Sequence, residues 1–369
     1  MRRWLSLVFA ILVVTFGARG VAQQPVPEIP FDSAPNFLKL PPDMNLGEVS
    51  GVAVNSKKHV VVFTRSNSAG GPAYGATASQ LLEFGPDGKF LREIGKGLYA
   101  WSYAHAIRFD KDDNLWAIDK GSDMIVRINP EGHVTMVFGR KKEASDEAEP
   151  WTRVTPPRPP VNGQFRQPTD VAFDPQGNIY ISDGYINSRV AKFDKNGDWV
   201  KSYGEPGRVK LGELNTPHSI AADSKGNVYV ADRGNRRIQV LDQSGTFVRA
   251  IKIDVPMPPD VHPWMGNDPT PEAAATQNGA PWAICITPGP TEYLYASDAF
   301  PGRVYKLTLD GTVVGVLGKV GHQPKQFGWI HEIACPSENE IYVAELLNWR
   351  VQKLTLHPQS PRVATSAAR

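Results

Sequence analysis

A short pattern recurs along this chain and leaves few folds open to it. An apolar run closing on an acid appears as NLWAID, NIYISD, NVYVAD, YLYASD and IYVAE, which places Asp119, Asp183, Asp232, Asp298 and Glu345 in one register. HVVVFT, ending at Thr64, is a weaker sixth copy. Each run follows a second short strand and a turn with Gly or Asn, such as DPQGN. A third strand comes after it (MIVRIN, RVAKFD, RIQVLD, RVYKLTL, RVQKLTL), and most copies add a fourth (FLREIG, HVTMVFG, WVKSYG, FVRAIK, VVGVLG). Four antiparallel strands per repeat, six repeats and no helical periodicity predict an all-β protein, a six-bladed β-propeller.

The last copy lacks a fourth strand, because after RVQKLTL the chain runs into the polar HPQSPRVATSAAR, which reads as a disordered tail over 358–369. Phe37-Leu38-Lys39-Leu40, ahead of the first copy, belongs to no repeat. It is expected to complete the last blade and so remove two open sheet edges. The propeller is then expected over 35–357, after a linker at 23–34.

Residues 1–22 read as a signal peptide: Arg2 and Arg3, the apolar run Trp4 to Phe16, then Gly20-Val21-Ala22. The expectation is a secreted or periplasmic, monomeric protein without stable membrane insertion. Loss of Arg2, Arg3 and Arg19 with that segment takes the formal charge from +2 to −1, which disfavours nucleic-acid binding. Cys285 and Cys335, the only cysteines, lie in apolar strand-like runs. Export permits a disulfide, and buried free thiols fit the runs equally well.

Counting back 14 residues from Asp119, Asp232 and Glu345 reaches His105, His218 and His331; the same step reaches Thr169 from Asp183 and Ser50 from Thr64. In the fifth copy the nearest counterpart is Trp282, two residues out of step. A single histidine in such a place is ordinarily a core residue. Three of the chain's 8 histidines in one register, on blades 2, 4 and 6, converge instead on the axis with approximate threefold symmetry. Three neutral imidazoles with an open fourth position suit zinc, and iron, cobalt and nickel are compatible with the same set. In an antiparallel blade the residues just after the aligned acid share the histidines' rim. They are Arg65, Lys120, Gly184-Tyr185 and Arg233, cations and a phenol suited to anion binding and proton transfer. The long connections 65–78, 140–166 and 254–280 fall at the same rim and read as walls of a cleft.

FRQPTDVAFDPQGNIYISDGYINSRV and TPHSIAADSKGNVYVADRGNRRIQ resemble the NHL-repeat propeller of the peptidyl-α-hydroxyglycine α-amidating lyase family, over roughly residues 47–355. The resemblance implies a zinc-dependent lyase of peptide amidation that splits N-acyl or peptidyl α-hydroxyglycine into an amide and glyoxylate. It implies zinc on His105, His218 and His331, catalysis by Tyr185, and active-site roles for Arg65 and Arg233. It also implies a structural calcium on Glu332 and the backbone carbonyls of Val52 and Ile107. Trp329 stands where the family has a methionine, and Arg166 and Ile186 where it has cysteines. Two other readings fit a propeller of this kind. One is a lactonase-like metal-dependent hydrolase, whose sites rely mainly on acids and asparagine; the other is a non-catalytic NHL scaffold that binds peptide or protein on its loop-rich face.

Overall fold

The computed structural model describes residues 26–65, 79–141, 159–259, 261 and 278–357. The expected signal peptide, the C-terminal tail and most of the three long rim connections lie outside the described residues.

Six four-stranded antiparallel sheets form the blades. Their innermost strands are Glu48–Val54, Ala104–Phe109, Asp170–Phe173, Pro217–Ala222, Ile284–Ile286 and Ile330–Ser337. Within each blade the repeat supplies its own turn. In DPQGN, the Asp174 carboxylate accepts the backbone N–H of Gln176 and Asn178 at 3.0 and 2.9 Å, and Gly177 takes φ +85°, a region open to glycine without strain.

The second strand of each blade is apolar on both faces because it is packed on both sides. In Val60–Arg65, Val60 and Val62 join a cluster shared with blade 6, while Val61 and Phe63 join one shared with blade 2. The same division repeats round the ring, so the core of the described residues is six apolar wedges between neighbouring blades rather than one central mass.

The acids ending the second strands of blades 2 to 6 are committed to structure. Asp232 accepts the Asn215 N–H at 2.7 Å and the side chains of Asn235 and Arg237 at 2.8 Å each. Asp183 does the same with Asn187 and Arg189 at 2.6 and 3.0 Å, and Glu345 with Asn348 and Arg350 at 2.6 and 2.7 Å. These bonds tie strand end to rim loop and leave Arg233, next in sequence to Asp232, available to the axis.

Two expectations need correction. An N-terminal strand does close the last blade, but it is Phe31–Ala34, not 37–40: Phe31 pairs with Leu356 and Ala34 with Lys353. Ile29 N–H already bonds Val316 O at 2.8 Å, so ordered contact with the propeller starts inside the segment read as a linker. The outermost strand is half exposed and asks little of its side chains, whereas apolar Phe37, Leu38 and Leu40 are spent filling the wedge between blades 6 and 1. The alternative left open for the cysteines is decided: Cys285 and Cys335 form a disulfide with Cα atoms 6.1 Å apart, joining the inner strands of blades 5 and 6.

Candidate metal centre

Each histidine is the extra residue of a β-bulge. The pairing of inner and second strands shifts by one residue between Ala104 and Ala106, between Pro217 and Ser219, and between Ile330 and Glu332. A bulge re-aims one side chain without ending the strand, and here it turns His105, His218 and His331 onto the axis. Their ring centroids are 4.8, 4.6 and 4.9 Å apart, and one nitrogen from each lies within 4.8 Å of the others.

The backbone sets the tautomer. His105 Nδ1–H donates to Thr169 O at 2.6 Å, His218 Nδ1–H to Trp282 O at 2.7 Å and His331 Nδ1–H to Ser50 O at 2.8 Å. Each acceptor belongs to the next blade's residue at the ring position. A carbonyl only accepts, so the proton sits on Nδ1 and Nε2 keeps its lone pair. The three are 1, 2 and 4% exposed, and His218 Nε2 is buried with no partner among the described residues. A buried acceptor left unmade costs about 1–3 kcal/mol. Three Nε2 atoms with tautomers fixed by the carbonyls behind them fit a transition metal with an open position.

Burial first, and then repulsion from nearby cations and, for His105 and His218, from neighbouring histidines, hold all three imidazoles well below the usual value of 6.5. The unfolded chain therefore binds protons near pH 6.5 that the folded chain refuses. Stability is retained above that pH and lost as pH falls below it, at up to about 1.4 kcal/mol per pH unit for each histidine. Thermal melts of metal-free protein from about pH 7.5 to 5 should show a falling melting temperature; a flat profile over that span would remove the buried neutral triad.

Trp282 completes the ring in blade 5. Its N–H donates to Ser297 O at 2.8 Å just as Thr169 N–H donates to Ser182 O at 2.8 Å. The two-residue discrepancy lies in the hairpin turn, since Ile286 pairs with Leu294 where Phe173 pairs with Ile179.

Above the histidines stand the residues that follow the aligned acids. The Tyr185 hydroxyl is 3.4 Å from His105 Nε2, and Arg233 Nη1 reaches it at 3.5 Å. The Lys120 ammonium lies 3.9 Å over the Tyr185 ring. Burial raises the pKa of this phenol, but Arg233, Lys120 and Arg65 outweigh it and the net direction is downward. Burial and the two arginines in turn lower the pKa of Lys120, against an opposing pull from Tyr185. Arg65 lies 3.9 Å over Tyr103 and is held by Ala104 O and the Glu48 carboxylate, both at 2.8 Å. Arg233 lies 3.9 Å over Trp282, with its buried Nε unpartnered among the described residues. Trp282 meets Trp329 edge-on at 4.8 Å, and the Trp329 indole N–H is a second buried, unpartnered donor. Lys120, to which the family resemblance assigns no role, stands in this cluster by its place after Asp119.

The calcium ligands do not assemble. Val52 and Ile107 turn N–H groups, not carbonyls, toward Glu332, at 2.9 and 3.2 Å. The Arg108 guanidinium stands beside that carboxylate at 3.3 Å. A bulge at the preceding ring residue decides which backbone group faces the axis, and calcium does not fit donors and a cation.

The NHL repeat family matches residues 165–193 and 214–241, the copies carrying Tyr185 and His218. The chain is 27% identical over 336 residues to peptidyl-glycine alpha-amidating monooxygenase B of Xenopus laevis, covering 82% of this chain and 33% of that protein. It is 25% identical over 353 residues to peptidyl-alpha-hydroxyglycine alpha-amidating lyase 1 of Drosophila melanogaster, covering 89% and 60%. It thus spans about a third of the length of the monooxygenases it matches. Among solved structures, selenomethionine-substituted virginiamycin B lyase from Staphylococcus aureus aligns with a TM-score of 0.55 at 15% identity, over 89% of this chain and 100% of that one. At that identity the likeness shows the fold alone. The chain is a six-bladed β-propeller carrying NHL repeats, with relatives named as peptidyl-α-hydroxyglycine α-amidating lyases.

Proposed function

We propose that this protein is a metal-dependent lyase that breaks the C–N bond of N-acyl or peptidyl α-hydroxyglycine, releasing the amide and glyoxylate. The observation that carries the reading is the meeting of three Nε2 lone pairs with the Tyr185 hydroxyl, 3.4 Å from one of them, under Arg65, Lys120 and Arg233. The names of the relatives point the same way.

A zinc ion on His105, His218 and His331 would supply Lewis-acid activation of the substrate hydroxyl. The protein does the rest. Tyr185, its phenolate favoured by Arg233 and Lys120, takes the hydroxyl proton. The C–O bond becomes a carbonyl, the C–N bond breaks with its electron pair going to nitrogen, and the Tyr185 phenol returns the proton to that nitrogen. Atoms and charge balance with no further reactant. The substrate's carboxylate adds a negative charge that Arg65 and Lys120, on the other flank of Tyr185, are placed to receive. Trp282 and Trp329 give the acyl side an apolar wall.

The test uses purified protein and N-benzoyl-α-hydroxyglycine. Glyoxylate and benzamide should appear in equal amounts, disappear on dialysis against a chelator and return with one equivalent of zinc. Metal-replete protein that releases no glyoxylate would refute the reading.

A further inference from the structure

On the axis beneath the histidine ring lies a second convergence that the reaction does not use. Arg108, on the inner strand of blade 2, donates Nε and Nη2 to the two oxygens of Asp170 in blade 3, at 3.0 and 2.7 Å. Nη2 also meets Ser219 Oγ in blade 4 at 3.3 Å and Ile284 O in blade 5 at 3.2 Å. Nη1 meets Ile333 O in blade 6 at 3.0 Å, and Nε lies 3.3 Å from Glu332 Oε1 of the same blade. Glu332 accepts the Val52 N–H from blade 1, which completes contact with all six blades. Asp170 and Glu332 are each 1% exposed. Close approach is built into the backbone at Gly51, where a Cβ would stand 2.8 Å from Glu332 Oε2. Everything that touches the guanidinium is oxygen, from two carboxylates, two carbonyls and a hydroxyl. That is the donor set of a hard cation site.

We propose that Arg108 is a tethered cation filling an all-oxygen site on the propeller axis, so that the native protein needs no metal there, and that removing the guanidinium opens the site to a divalent cation. An arginine cannot lose its charge and brings five fixed donors, which suits it to pin six blades at one point. Two buried carboxylates stripped of it face each other uncompensated, a strongly destabilising state unless another cation enters. The cavity of about 300 Å³ on the far mouth of the channel, lined in part by Arg108, Phe173, Ala222 and Pro336, gives an ion a way in. The proposal does not depend on the lyase reading.

Zinc-loaded wild type and Arg108→Ala are melted with and without about 5 mM calcium, above the range in which weak oxygen sites fill, and bound calcium is measured after gel filtration. Wild type should keep its melting temperature and carry no stoichiometric calcium. Arg108→Ala should melt about 10 °C lower without calcium, recover several degrees with it, and hold one more calcium per chain than wild type. An Arg108→Ala protein as stable as wild type overturns the pinning role, and one that calcium does not restore overturns the latent site. Should Arg108→Ala not fold, wild type decides the matter: a stoichiometric calcium that raises its melting temperature means the guanidinium does not fill the site. Arg108→Lys, which keeps one charge, should then fold with a lowered melting temperature and take no calcium; an Arg108→Lys protein that binds it also overturns the proposal.

Discussion

Tyr185→Phe should lower glyoxylate release by about 10²- to 10⁴-fold in kcat, the range lost when a positioned acid–base group is deleted, with fold and metal content unchanged. Only the hydroxyl goes. The ring stays buried under Lys120 and keeps its edge contacts with His105 and His218, centroids 5.6 and 5.9 Å away. Because the cations move the phenol's pKa downward, activity should rise with pH and level off below the ordinary tyrosine value near 10. Activity of the phenylalanine variant within threefold of wild type would take Tyr185 out of the mechanism. A profile already flat from pH 5 upward would rule out a phenolate base.

His218→Ala should have the larger effect. It deletes the buried, unpartnered Nε2 and leaves Trp282 O without its 2.7 Å donor, so two nitrogens remain where three met. Bound metal should fall well below one per chain, and kcat/KM by about 10³-fold or more, since neither hydroxyl activation nor its orientation survives. His133→Ala, on an exposed turn far from the ring, serves as control and should change neither quantity. Full metal occupancy in His218→Ala would show that the ion is held elsewhere. Full activity without metal would show that the chemistry needs none.

The ring of blades was legible because propeller strands repeat a spacing, and the spacing between inner-strand position and terminal acid is constant wherever the hairpin turn between them keeps its length. That rule found His105, His218 and His331. It failed for Trp282, where the hairpin itself is two residues longer. Phe31–Ala34 was illegible because an outermost strand buries only alternate residues and FDSA has almost no apolar signal, while the more strand-like 37–40 was wanted as filler between blades. Backbone polarity was illegible at Val52 and Ile107, since one bulged residue exchanges the N–H and carbonyl directions and leaves no trace in composition. Lys120 and Arg108 were present in the text, but their worth depends on what the neighbouring blades bring within 4 Å.

Blade 6 is assembled from opposite ends of the chain, with Phe31–Ala34 laid against Arg350–Leu356, and His331 stands on its inner strand. A polypeptide that stops before Arg350–Leu356 lacks the strand that joins Phe31–Ala34 to the rest of the blade carrying His331. If the trio holds an ion as proposed, full uptake coincides with the circle shutting, and its binding free energy stabilises the closed ring. Damage to the seam between first and last strands is then expected to register at the hub as weakened hold on that ion.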